Sequence, residues 1–560
     1  MPDQDYIPEI IALVFERDAL AKLGPDITPY IKMQKTLAGD YIIVYVDIRD
    51  VETIIQNPAN FAMNVFPHVM ALLGEADLAA SGITQIHRQP FLNLRGSGVL
   101  LGFVDTGIDY TLEAFRYEDG SSKIRYIWDQ TVSGNPPEGF HYGTQYDNDT
   151  INMALNSPNP LDIVPSVDTV GHGTFLASVA GSRESGEYVG AAPDSEIIAV
   201  KLKRALRFDY IHALVPLSKE NAYSAADIMM GVQYIAEKAR ELGRPVAICL
   251  GLGTNTGSHD GGSALEGFLS RISSTVGTSM CVAAGNEAQA AHHTNDKIST
   301  GESVDIEIRV SNSEDIFVSM WSYAGDRMSV SVKSPTGEKV SRVPARAGSR
   351  YSQKLVLERA TVIVEYAFPV GRYGGQYTTI SILSATIGVW TVTAHADSVI
   401  DGTFHMWLPI TGLNPGATFL TPKPNYTITL PATSTGVITC GAYSSYDNSL
   451  SPTSSWGPSR LPSILPDLVA PGRDVTGIYP GGVRGKMSGT SVSAAITAGA
   501  SALLLQWAIV EGNDPSMDSN RIRANLLAGC ERDPGVQYPN NQWGYGRLNL
   551  VNTFRSLRPT

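Results

Sequence analysis

Cysteine is scarce, with four residues in a chain of 560. None of them forms a C-x-x-C pair or a metal spacing, which excludes a disulfide-built scaffold and a thiolate zinc site. Three of them, Cys249, Cys281 and Cys440, lie in apolar strand-like runs and read as small buried hydrophobes. Charge is thin as well, at 17% of residues, and the formal balance is −13 with no long basic run. That sign repels phosphate backbones and anionic lipid surfaces, so neither nucleic acid nor membrane is expected as a partner. The longest apolar stretch, residues 491–509, is broken by serine, threonine and glutamine and suits a buried helix better than a membrane span. The start, Met-Pro-Asp-Gln-Asp-Tyr, lacks the basic segment and apolar core of a secretory signal, so a chain kept inside the cell is the expectation. Metal motifs are also lacking. Asp147-Asn-Asp149 opens like a calcium loop without the required glycine and terminal glutamate, and reads as a solvated turn. His292-His293 reads as part of a polar loop with no partner at zinc spacing. No cofactor is expected, although a structural calcium held by scattered carbonyls would leave no motif.

What is present is a folded chain, 43% hydrophobic, long enough for more than one core. Residues 1–75 are expected to form a small α+β unit, with a strand at Tyr41 to Val46, a helix from Asp50 to Gln56, and a Met-, Phe- and Leu-rich strap from Phe61 to Leu73. Residues 76–297 alternate strands and helices. Continuous apolar runs at 99–104, 196–202, 246–252 and 280–284 are separated by helical patterns at 174–181, 224–242 and 263–276. This rhythm argues for an α/β fold, a parallel sheet covered on both faces, with ligands bound outside the carboxyl ends of its strands. From 298 to 430 short alternating segments such as Ser303-Val-Asp-Ile-Glu-Ile-Arg-Val and Gly388-Val-Trp-Thr-Val-Thr-Ala take over, the pattern of an all-β sandwich or jelly roll. The α/β rhythm resumes over 431–560, so the β unit is an insertion whose ends return to neighbouring points.

Three polar residues stand at element boundaries. Asp105 ends the first apolar strand in Val-Asp-Thr-Gly-Ile-Asp, His172 opens a helix in Gly171-His-Gly-Thr, and Ser491 lies in Gly489-Thr-Ser where a glycine-rich turn becomes a long apolar helix. Each has an ordinary reading: a strand-end turn former, a helix N-terminal residue, a helix cap. Together they supply the orienting carboxylate, general base and nucleophile of acyl transfer. Asn286, after the strand end Ala283-Ala284-Gly285, could present an amide to a tetrahedral oxyanion alongside the Ser491 N–H. The order Asp, His, Ser differs from that of α/β-hydrolases, and Gly489-Thr-Ser-Val-Ser lacks the second glycine of a G-x-S-x-G elbow.

Val104-Asp-Thr-Gly-Ile-Asp, Gly171-His-Gly-Thr, Ala283-Ala-Gly-Asn and Ser488-Gly-Thr-Ser resemble, in order, the motifs of the subtilases, the subtilisin-like serine proteases. The resemblance covers roughly residues 80–295 and 430–555. It implies that Asp105, His172 and Ser491 are a catalytic triad and Asn286 the oxyanion donor. It also implies that Leu250, Gly251, Leu252 and Gly253 form the edge strand that pairs with substrate backbone, and that Ala283, Ala284 and Gly285 line the pocket for the residue before the scissile bond. Residues 1 to about 75 would then be a self-cleaved propeptide, cut somewhere in Phe66 to Leu78. The segments Tyr126-Ile-Trp-Asp-Gln-Thr and Asn93-Leu-Arg-Gly-Ser-Gly-Val, with the all-β insert, are most similar to the germination-associated subtilisin-like proteases of spore-forming clostridia. That likeness implies a jelly-roll insert, a cleaved prodomain that can stay bound, protein or peptide substrates, and a cytoplasmic or spore-associated setting in a bacterium. Ala494-Ala495 replaces the family's usual Ser-Pro pair, and the long interval between Asp105 and His172 implies an extra excursion near 115–165, expected as a rim to the cleft. The sequence leaves two other function classes open: a catalytically silent subtilase fold that binds or senses, and an insert acting as a carbohydrate- or protein-binding module. Against the last, Trp321, Tyr351, Tyr366, Trp390 and Trp407 read as core.

Overall fold

The computed structural model describes residues 10–20, 27–55, 67–72, 79–89, 92–186, 188–414 and 416–557. Its centre is an eight-stranded sheet in the order Leu468–Pro471, Ile438–Tyr443, Thr278–Ala283, Val246–Leu250, Leu100–Asp105, Glu196–Lys201, Ile124–Asp129, Thr144–Asp147. All neighbours are parallel except the last pair. Successive residues of a strand face opposite sides, and here both sides are covered, which is why the strands read as unbroken apolar runs. Leu101, Phe103, Cys249 and Cys281 pack with the helices His172–Gly181 and Thr490–Leu505. Leu100, Val104, Ile248 and Met280 pack with Ala225–Glu241 and Ala264–Ser273. One helical stretch among the described residues, Thr490–Val510, is long and apolar enough to cross a membrane, and 89% of its most apolar 18-residue window is buried inside the fold.

The excursion between Asp105 and His172, expected as a rim to the cleft, extends the main sheet. It adds Ile124–Asp129 and Thr144–Asp147 to the sheet edge and a helix, Asn148–Leu155, behind them. Asp147 is that helix's N-cap, accepting the Thr150 N–H at 2.9 Å, so the segment read as a solvated turn is a helix start.

The strands Thr278–Ala283 and Ile438–Tyr443 are neighbours in the sheet although some 150 residues of chain separate them. Between them two antiparallel sheets of six and five strands enclose one apolar core. The first of these strands, His293–Lys297, begins before the expected boundary at 298. Trp390 and Tyr366 are core residues of this sandwich, Trp321 and Trp407 are also buried, and Tyr351 is exposed. At the N-terminus Ile10–Glu16, Tyr41–Asp47 and Ile31–Thr36 form a three-stranded antiparallel sheet. One face carries Ile11, Leu13 and Phe15 against the helix Ile48–Ile55. The other places Val14, Tyr41, Ile43 and Tyr45 on the helices that cover the main sheet.

Candidate functional site

Asp105 ends the central strand and is 2% exposed. Its Oδ1 accepts the Thr106 N–H at 2.8 Å. His172 is brought to it by a helix start that Asp168 fixes: Oδ1 accepts the Gly171 N–H at 2.8 Å, and Oδ2 accepts the Thr174 N–H at 2.9 Å and its hydroxyl at 2.7 Å. These are donors a helix leaves without intrahelical partners. Gly173 permits the close approach, since a Cβ there would fall 2.3 Å from the Gly107 carbonyl oxygen. The outcome is a His172 Nδ1 to Asp105 Oδ1 distance of 2.7 Å. A carboxylate oxygen accepts, so Nδ1 carries the proton, and in the neutral imidazole Nε2 presents a lone pair. That nitrogen lies 3.2 Å from Ser491 Oγ.

Ser491 is the second residue of its helix, so its N–H has no intrahelical acceptor. Gly489 precedes it with φ 145°, a backbone that side chains rarely tolerate. Asn286 reaches the same point from the end of the strand Thr278–Ala283. Its Oδ1 accepts the Thr490 N–H at 3.1 Å and the Thr490 hydroxyl at 3.2 Å. An N–H can only donate, so the amide oxygen is the atom turned to Thr490 and Nδ2 is turned away from it. The same Thr490 hydroxyl accepts the Gly285 N–H at 3.0 Å.

Gly251 closes the group. A Cβ built on it would lie 3.0 Å from His172 Cε1, 3.0 Å from Ser491 Cβ and 2.8 Å from Leu176 Cδ1. Leu252 and Gly253 pair antiparallel with Leu72 and Ala71 of the chain itself, while Val69 and Met70 pair with Ser224 and Tyr223. The segment Val69–Leu72 is thus the middle strand of a three-stranded sheet laid beside the serine and histidine. Leu250 does not join this pairing among the described residues; it ends a main-sheet strand opposite Val282, with its side chain in the core. Ala283 and Ala284 are likewise buried in the two apolar clusters on either side of the sheet, and Ala284 O accepts the Thr429 N–H at 2.9 Å. Cβ atoms built on Gly253 and Gly285 would both collide with the Thr429 side chain, at 2.5 and 2.6 Å, which sets this threonine between the two backbone walls.

Sequence reasoning misses Asp168, Thr490 and Thr429. Asp168 has a signal, an acidic residue just before a helix start. Thr490 is visible only as part of Gly-Thr-Ser, and Thr429, which arrives after the β insert, has none. His293 begins the strand His293–Lys297 and His292 directly precedes it, so neither belongs to a solvated polar loop. Both are buried; His292 Nδ1 lies 2.6 Å from Glu287 Oε2, and His293 Nε2 lies 3.2 Å from His405 Nδ1.

The Subtilase family matches residues 96–356 and 416–546. The CspB protease of Clostridium perfringens is similar in structure, with a TM-score of 0.76 and 32% identity, over 86% of this chain and 99% of that one. The prenylagaramide maturation protease PagA is a weaker likeness, at a TM-score of 0.43 and 14% identity over 85% of this chain and 99% of that one.

Proposed function

Because the chain belongs to the subtilase family and is a serine peptidase, we propose that Ser491 is its nucleophile, His172 its general base and acid, Asp105 the group that orients the imidazole, and Asn286 an oxyanion donor. The observation that carries this reading is the hydrogen-bond relay of 2.7 Å from Asp105 to His172 and 3.2 Å from His172 to Ser491. Ser491 Oγ attacks the scissile carbonyl carbon while its proton passes to His172 Nε2. Asp105 fixes the tautomer and stabilises the imidazolium. The tetrahedral oxyanion is held by the Ser491 N–H, at the positive end of the helix dipole, and by Asn286 Nδ2. The carbon–nitrogen bond then breaks, His172 gives its proton to the leaving amine, and water repeats the sequence to release the acid.

Substrate binds as an added strand on Leu252-Gly253, main chain to main chain. The first substrate is the chain's own N-terminal unit: residues 1 to about 75 act as a propeptide cut in cis, where tethering supplies a high effective concentration. Val69–Leu72, already in the place of a substrate strand, supports this. Of the expected cleavage window, residues 67–72 are described and 66 and 73–78 lie outside the described residues. The N-terminal sheet packs on the catalytic core, so the cut unit stays bound and restrains the enzyme as a product-like inhibitor. Expression of wild type beside Ser491→Ala tests the proposal. Wild type should yield two fragments and the variant one intact chain.

A further inference from the structure

The strand Val69–Leu72 is enclosed on both sides. Met70 is fully buried, packed in the cluster that holds Leu252 and Tyr223. Val69 and Ala71, on the opposite side, are each only 3% exposed. A strand laid in an open cleft leaves that second side to water. Here it is covered by Tyr210 and Val215 from the segment after the strand Glu196–Lys201, and by Ile410 and Leu413 from the inserted β unit. The covering loop, 408–414, joins the strands Thr403–Trp407 and Ala417–Phe419. Its grip on the catalytic unit is polar and buried. Glu287 Oε1 accepts the Thr411 N–H at 3.0 Å and its hydroxyl at 2.8 Å, and the Leu408 carbonyl accepts from Asn255 Nδ2 at 3.0 Å. Glu287 directly follows Asn286, so the cover and the oxyanion donor share one short stretch of chain. The loop bears hardest on Ala71: a Cβ built on Gly412 would lie 2.7 Å from the Ala71 Cβ.

We propose that loop 408–414 of the inserted β unit sets substrate choice by closing over the cleft, so that the enzyme cuts peptides with a small residue at the third position before the scissile bond and an aliphatic one at the fifth. This rests on the proposed role of Ser491. A Cβ built on Gly251 would lie 3.0 Å from Ser491 Cβ, and continuing the pairing of Leu252 and Gly253 by one residue sets Gly251 opposite the residue whose carbonyl is attacked, so the residue facing Gly253, in the place of Ala71, is the third before the cut. The residue facing Ser224, in the place of Val69, is the fifth. A side chain larger than alanine or serine at the third position meets the Gly412 backbone, and a charged one at the fifth is stranded among Tyr210, Val215, Ile410 and Leu413.

The test uses the full chain and a synthetic peptide of residues 66–77, Phe-Pro-His-Val-Met-Ala-Leu-Leu-Gly-Glu-Ala-Asp. Relatives of the peptide carry Ala71→Ser, Ala71→Leu or Val69→Lys. The parent and the serine peptide should be cut at similar rates, with kcat/KM for the leucine and lysine peptides lower by about a hundredfold. In the double variant Ile410→Ala/Leu413→Ala the ratio for the lysine peptide should shrink to about tenfold or less. The same changes made in the chain, Ala71→Ser and Ala71→Leu, should leave self-cleavage unchanged and slow it about a hundredfold, respectively; this arm decides if a bound N-terminal unit shields the enzyme from added peptide. Equal cutting of alanine and leucine forms in either arm overturns the inference while leaving the role of Ser491 intact. A chain that neither self-cleaves nor cuts the parent peptide overturns the proposed function itself.

Discussion

Replacing Asn286 by alanine removes one donor from the proposed oxyanion site while leaving Asp105, His172 and Ser491 in place. The amide is pinned through its oxygen, at 3.1 and 3.2 Å from the two donors of Thr490, so it is preorganised before any negative charge develops. A donor of this kind contributes about 3 kcal/mol to the barrier, and since each 1.36 kcal/mol is tenfold in rate, kcat should fall by roughly a hundredfold or more. KM should scarcely change, because the donor acts on charge absent from the ground state. Stability should fall by about 1–3 kcal/mol, because the buried Thr490 N–H and hydroxyl lose the amide oxygen as acceptor. The assay is the self-cleavage rate of freshly made chain, followed by gel, with peptide hydrolysis for the kcat and KM separation and thermal unfolding as a control. Full activity in Asn286→Ala, or a loss seen in KM alone, refutes the assignment.

Gly251→Ala places a methyl group 3.0 Å from both His172 Cε1 and Ser491 Cβ; the displaced reacting groups should lower kcat by about ten- to a hundredfold while the melting temperature drops only slightly, and an unchanged kcat contradicts the site geometry. Thr490→Val leaves the buried Gly285 N–H without its acceptor, so urea unfolding should show a loss of about 1–3 kcal/mol that Thr490→Ser does not share. Burial holds the Glu266 carboxyl up at about 7, against 4.5 in the ordinary state. Below pH 4.5 it is protonated whether folded or unfolded; as pH rises to 7 only the unfolded chain loses the proton, so stability falls by about 3 kcal/mol by pH 8. Glu266→Gln has no proton to lose, and its stability relative to wild type should rise between pH 5 and 8; a constant difference contradicts the assignment.

The main sheet and the candidate positions Asp105, His172 and Ser491, which the structure brings within hydrogen-bonding reach, are legible in the sequence because each depends on neighbours in the chain. Val99 to Val104 is apolar throughout because both faces are covered, and Asp105, His172 and Ser491 sit where an apolar element starts or stops. What the sequence hides is set by distant segments. Thr429 enters between Gly253 and Gly285 only after the chain has passed through the entire β insert, and Leu250, inside the Leu-Gly-Leu-Gly run, turns into the core while Leu252 and Gly253 form the edge. His293 looks like a loop residue in its polar context, yet it pairs across a strand with Trp407 and is buried. The Met- and Leu-rich strap shows its apolar character without showing that Val69 to Leu72 becomes the middle strand of a sheet, since its partners lie some 150 to 180 residues away.

The most direct test of the central claim is the N-terminal sequence of the fragments from wild type, Ser491→Ala and His172→Ala expressed side by side. Wild type should show a new N-terminus shortly after Leu72, and both variants should remain one intact chain of 560 residues. Cleavage at the same bond in Ser491→Ala, or none in wild type, contradicts the account.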